Sequence, residues 1–119
     1  MKDKPFEKID EFARQAAEYL ASVQRGFDEY QRGYFAERPA EFFSLELCGE
    51  AGELANIEKK RWKGKQVDDE RFADEAADVL IALMNYSNAR GIDLGAAVSQ
   101  KLRWIEQKRL RLAKGGENY

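Results

Sequence analysis

Apolar residues recur along most of this chain at three- and four-residue intervals, the period of an amphipathic helix rather than of a strand. Phe12, Ala16, Tyr19, Leu20, Val23, Phe27 and Tyr30 make a first stripe, on a helix that begins near Lys8 or Asp10. Gly26 sits inside it and weakens or ends it; the segment QRGYFAERP then reads as a connection, with Gly33 as a stop and Pro39 close to the next start. Its aromatics, Tyr34 and Phe35, read first as core plugs and second as neighbours of a pocket. A second helix covers Phe43 to Trp62. A third runs from about Asp69 to Arg90, with Phe72, Ala76, Val79, Leu80, Leu83 and Tyr86 as its buried side and Gly91 closing it. A fourth spans about Leu94 to Leu112, capped by Asp93, with Leu94, Val98, Leu102, Ile105 and Leu112 inward. Residues 1–8 and 113–119 read as frayed ends. The expectation is an all-α chain, an antiparallel bundle of about four helices in one domain over residues 1–119.

The stripes are interrupted by charge. On the second helix Phe43, Leu47 and Leu54 stand at i, i+4 and i+11, and the missing member at i+7 is Glu50, with Glu46 and Glu53 one turn to either side. A carboxylate on a core-facing stripe costs roughly several kcal/mol unless something pairs with it. One candidate partner is Lys or Arg. The other is a divalent cation, because carboxylates one turn apart can converge on one hard ion. The third helix carries a second pair, Glu75 and Asp78, beside its stripe, with Ala82 and Asn85 continuing the line. On the fourth, Lys101 takes an inward position, as a salt-bridge partner of the acids or as a phosphate ligand. The link between the second and third helices is short, so they pack antiparallel and the acid pairs can face each other across the groove. Four bare carboxylates would repel strongly; Mg²⁺ would neutralise them and leave coordination positions open for water and phosphate oxygens.

Composition narrows the chemistry. Apolar content is 44% and charged content 35%, and no Asn-Gly or Asp-Gly hairpin signal occurs, which fits helices with charged outer faces. The net charge of −2 and a pI near 5.3 give no reason to expect a nucleic-acid partner. No apolar run approaches the length of a membrane span, and MKDKPFEK lacks the apolar stretch of a signal peptide. The single cysteine, Cys48, fits a reducing cytoplasm. Histidine is absent, which removes Ser-His-Asp and Cys-His catalysis, His-containing zinc sites and the carboxylate-histidine di-iron bundles. Any metal must accept oxygen ligands alone, which means Mg²⁺, Mn²⁺ or Ca²⁺.

The spans LELCGEAGELANIEKKRW, FADEAADVLIALMNYSNARGIDLGAAV and SQKL, between about residues 42 and 109, resemble the MazG-type nucleotide pyrophosphohydrolases. That all-α superfamily includes dimeric dUTPases, dCTP pyrophosphatases and phosphoribosyl-ATP pyrophosphohydrolase. Its signature is E-x-x-E, a spacer, E-x-x-D, a Gly-Ile-Asp-Leu helix start and a lysine; here these are Glu50, Glu53, Glu75, Asp78, Gly91 to Leu94 and Lys101. The resemblance implies Mg²⁺-dependent hydrolysis (Mn²⁺ substituting) of nucleoside or deoxynucleoside triphosphates to monophosphate and pyrophosphate. It implies the four acids as metal ligands, one of them serving as base, and Lys101 on phosphate. It further implies a homodimer or a dimer of dimers, with the aromatic first helix supplying interface area. Asn56 and Lys60, at i+3 and i+7 from Glu53, and Asn85 on the acid line of the third helix, are further substrate-binding candidates from helical spacing. The chain departs from many relatives at Ile105, where they carry Asn, and from some at Ala82, where they carry Tyr. Trp62 resembles a base-stacking tryptophan, yet nine residues past Glu53 it points away from the acids and reads as packing or interface. Two alternatives stand beside this reading: a non-catalytic helical oligomerisation module whose acids pair with Lys60, Arg61 and Lys101, and phosphoribosyl-ATP hydrolysis.

Overall fold

A computed structural model describes residues 2–119; Met1, the first residue of the stretch read as a frayed lead-in, lies outside them. Four helices follow in order: α1 (Ile9–Tyr34), α2 (Ala40–Trp62), α3 (Asp69–Arg90) and α4 (Leu94–Lys114), with no strand among the described residues. The all-α expectation holds, and Gly26 does not break α1. Gly91 ends α3 in the left-handed region, at φ 68°, where an L side chain would be strained. Its N–H bonds the Asn88 carbonyl while the Ile92 N–H reaches back to Ser87, a closure of the type that satisfies the last carbonyls of a helix. Asp93 then caps α4, accepting from the Ala96 N–H at 3.0 Å.

The chain forms two compact units. One takes the chain up to Val23 together with Asp93–Tyr119; the other is Gln24–Ile92. In the first, the segment before α1 is tied to α4. Glu106 pairs with Arg109 (2.6 Å) and accepts from the Phe6 N–H, while Arg109 also donates to the Lys4 carbonyl at 2.8 Å and to that of Lys2. The lead-in read as frayed is therefore held down. α1 and α4 approach closely at Gly95, where a Cβ would collide with the Ala17 carbonyl oxygen.

In the second unit α2 and α3 are antiparallel. Arg61 at the end of α2 pairs with Asp69 at the start of α3 (2.7 Å), and Arg90 at the end of α3 reaches Glu41 at the start of α2 (3.4 Å). Their buried apolar residues include Phe43 and Ile57 of α2 and Ala82 and Met84 of α3. Ile57 lies seven residues past Glu50, on the acid-bearing side of α2, and is 1% exposed. Removing its side chain to Ala should cost about 2–5 kcal/mol of unfolding free energy, read as a lower urea midpoint at unchanged slope.

Two stripes differ from a fully inward face. Phe12, Tyr19, Val23 and Tyr30 are exposed, which leaves packing on a second subunit as the remaining option for them, and within the chain α1 buries Ala13 in one unit and Gln24 in the other. The polar residue wins because its side-chain N–H donates to the Ile92 carbonyl and its own carbonyl accepts from Asn88 at 2.9 Å, so burial leaves neither unpaired. On α3, Ala76 and Leu80 face out while Glu75 is 8% exposed, so this carboxylate lies on the buried face and not beside it.

Candidate metal centre

The four acids all lie in the unit Gln24–Ile92, on α2 and α3. Antiparallel packing brings three of them together: Glu50, Glu75 and Asp78 each offer a carboxylate oxygen within 4.8 Å of the other two. Glu53, one turn past Glu50, is exposed and stays outside this group of three, although its charge is felt by Glu50 and Glu75.

The electrostatics follow from that crowding. Burial first, then the charges of Asp78 and Glu53 and the adjoining Glu75, push the Glu50 carboxyl up to about 7. Glu75 is raised as well, by burial and then by Glu53. Oε2 of Glu50 and Oε2 of Glu75 are buried with no hydrogen-bond partner. No Lys or Arg of this unit forms an ion pair with any of the four: Arg61, one of the candidate partners, is engaged with Asp69 and lies over the Phe72 ring. Three carboxylates that each offer a converging oxygen, two of them also carrying a buried oxygen without a partner, suit a hard divalent cation, and no basic side chain of the unit neutralises them.

The remaining candidates are dispersed. Asn56 and Lys60 are exposed along α2. Lys101 belongs to the other unit and is exposed, not interior; its ammonium lies 4.7 Å from the centroid of Trp104, one turn on. Trp62 is 90% exposed and so is not a packing residue within the chain. Asn85 is buried at 8% exposure, with its Nδ2 donating to Gln31 Oε1 at 3.4 Å and its Oδ1 without a partner. Gln31 was not among the sequence candidates; its only signal is a polar residue one turn past Phe27 on α1. Phe35, read as a core plug, is half exposed and lines a cavity with Gln31 and Asn85. Comparison with protein-family models, curated proteins and solved structures returned no match to the chain.

Proposed function

We propose that this chain is a MazG-like pyrophosphohydrolase, cleaving the α–β anhydride of nucleoside or deoxynucleoside triphosphates to release pyrophosphate. The observation that carries the reading is the convergence of Glu50, Glu75 and Asp78 on one point with two buried oxygens unpartnered and no basic side chain of their unit among them. The motif resemblance gives that cluster its chemistry; the oligomerisation-module reading would need the acids paired with bases.

Glu50, Glu75 and Asp78 would hold Mg²⁺, or Mn²⁺ in its place, through oxygen donors alone. When bound, such an ion offsets their mutual repulsion and supplies a Lewis acid for phosphate oxygens. Glu53, exposed and one turn from Glu50, is the carboxylate left to accept the proton of the attacking water. Lys60, two turns past Glu53, has the reach of a flexible cation for the phosphate chain, and Asn56 lies between them; Lys101 takes its phosphate role from the motif. The protein would work as a homodimer or dimer of dimers in the cytoplasm, away from nucleic acid and membrane. Exposed apolar residues such as Leu45 and Trp62 on α2 and Leu80 on α3 support an interface, and no helix is long and apolar enough to cross a membrane.

The test is a panel of common and modified (d)NTPs with Mg²⁺, monitored for pyrophosphate release. Release from at least one of them is expected, and loss of release in EDTA. Phosphate rather than pyrophosphate as product, or no turnover with any member, would refute the proposal.

A further inference from the structure

The unit Gln24–Ile92 holds a cavity that the acid chemistry leaves unused. It measures about 530 Å³ and adjoins a second of about 470 Å³; Gln31, Phe35, Phe43 and Asn85 line both. Its walls are aromatic: Phe27, Tyr30, Phe35 and Phe43, with the Tyr30 and Phe35 rings edge to face at 5.1 Å. Its polar lining is the two amides together with Arg38 and Glu46. Asn85 spends its Nδ2 on Gln31 Oε1, which fixes the remaining pattern: an acceptor, Asn85 Oδ1, and beside it the Gln31 Nε2 as donor. Asn85 is 8% exposed and lines both cavities, and a buried amide oxygen without a partner is rare in a folded protein, so what this amide pair lacks is a donor.

That requirement separates ligand classes. An acyl chain would fill the aromatic walls and leave Oδ1 unsatisfied. An anion would meet the unpaired Asn85 oxygen and the Glu46 carboxylate; of the basic residues, Arg38 lies over the Phe42 ring and Arg32, which lines only the adjoining cavity, is held by Asp28 at 2.8 Å. A flat heteroaromatic ring bearing an N–H next to an acceptor satisfies both the walls and the amides. The cavity also lies along the acid groove. Glu46, one turn before Glu50, and Ile81, three residues after Asp78, line it. Asn85 follows Asp78 by seven residues, about 10 Å along α3 at the helical rise. The separation of a base edge from the first phosphate of a nucleotide is of that order.

We infer that the Gln31–Asn85 amide pair is the base-reading element of this chain, taking a nucleobase edge through a base N–H donated to Asn85 Oδ1. The identity of the ring as the substrate's base rests on the pyrophosphohydrolase reading; the ring-binding chemistry does not. The test therefore uses free nucleosides, without phosphate or metal. Uridine, cytidine, adenosine and guanosine are titrated into the ¹⁵N-labelled protein, each against its counterpart with the base N–H methylated. The side-chain amide resonances of Gln31 and Asn85 should shift, and for the preferred nucleoside methylation should weaken binding by about tenfold. In Asn85→Leu the two forms should bind alike; if that variant does not keep its helical circular dichroism, Asn85→Ser serves instead. No shift of either amide with any nucleoside, or equal affinity of the methylated forms for the unaltered protein, would overturn the inference. Pyrophosphate release is scored separately. Turnover without these shifts would sink the pocket alone, and these shifts without turnover would sink the enzyme and leave a ring-binding site.

Discussion

Glu50→Gln and Asp78→Asn should each abolish Mg²⁺-dependent pyrophosphate release while leaving the helical circular dichroism intact. Both changes keep the shape of the side chain and remove one negative charge from a cluster of three carboxylates lying within 4.8 Å of one another. An amide oxygen remains a ligand atom, so the loss comes from charge, which a hard cation weights most heavily. Removing a residue that merely supports a metal ligand costs roughly 10–100-fold in affinity or activity, and a ligand itself should cost more. The fold should survive because Glu50 contributes a buried, unpartnered oxygen and not an ion pair: its replacement breaks no bridge within the unit. Steady-state pyrophosphate release over a range of Mg²⁺ concentrations makes the measurement. Undiminished turnover in both variants would remove the acids from the site.

The second large effect is on stability, and its sign follows from the crowding. In the folded protein without metal the Glu50 carboxyl is pushed up to about 7, from an ordinary value of 4.5. Between those two pH values the folded chain holds a proton that the unfolded chain has released. The folded state therefore binds more protons, and metal-free stability falls as pH rises from about 4.5 to 7, then levels. Glu75, raised in the same direction, adds to the slope. A cation that takes the place of the proton reverses this. Mg²⁺ should raise the melting temperature most at pH 7.5 and least near pH 5, and at a hundredfold excess over its dissociation constant it should add about 2.7 kcal/mol. Its binding near pH 6 should release protons. Melting curves in EDTA and in Mg²⁺ across this range check both statements, and Glu50→Gln should flatten the EDTA series and raise its high-pH end.

Much of this was legible in the sequence, and the misses have physical causes. Glu50 standing where the stripe Phe43, Leu47, Leu54 lacks a member pointed to a partner in the interior, and the short link from Trp62 to Asp69 set the helices antiparallel. Those two features suffice to bring Glu75 and Asp78 against Glu50. Glu53 was harder to place: one turn from Glu50 it is exposed and outside the group of three, yet its carboxylate still acts on Glu75 of α3. On α1, two sides carry apolar residues, and periodicity favoured the more aromatic one. The structure buries Gln24 because its side-chain amide donates to the Ile92 carbonyl and its backbone carbonyl accepts from Asn88, pairings between residues more than sixty apart that no local pattern records. The Gln31–Asn85 pair was hidden for the same reason. Lys101 sat in register with inward leucines, but a lysine four-carbon stem lets the charge turn to the ring of Trp104.

The central claim is that α2 and α3 direct their acids at a cation. A crystal soaked in Mn²⁺ and measured at the manganese absorption edge tests it most directly. The account predicts an anomalous peak bounded by carboxylate oxygens of Glu50, Glu75 and Asp78; a lysine or arginine head group occupying that position, or no peak there, would contradict it.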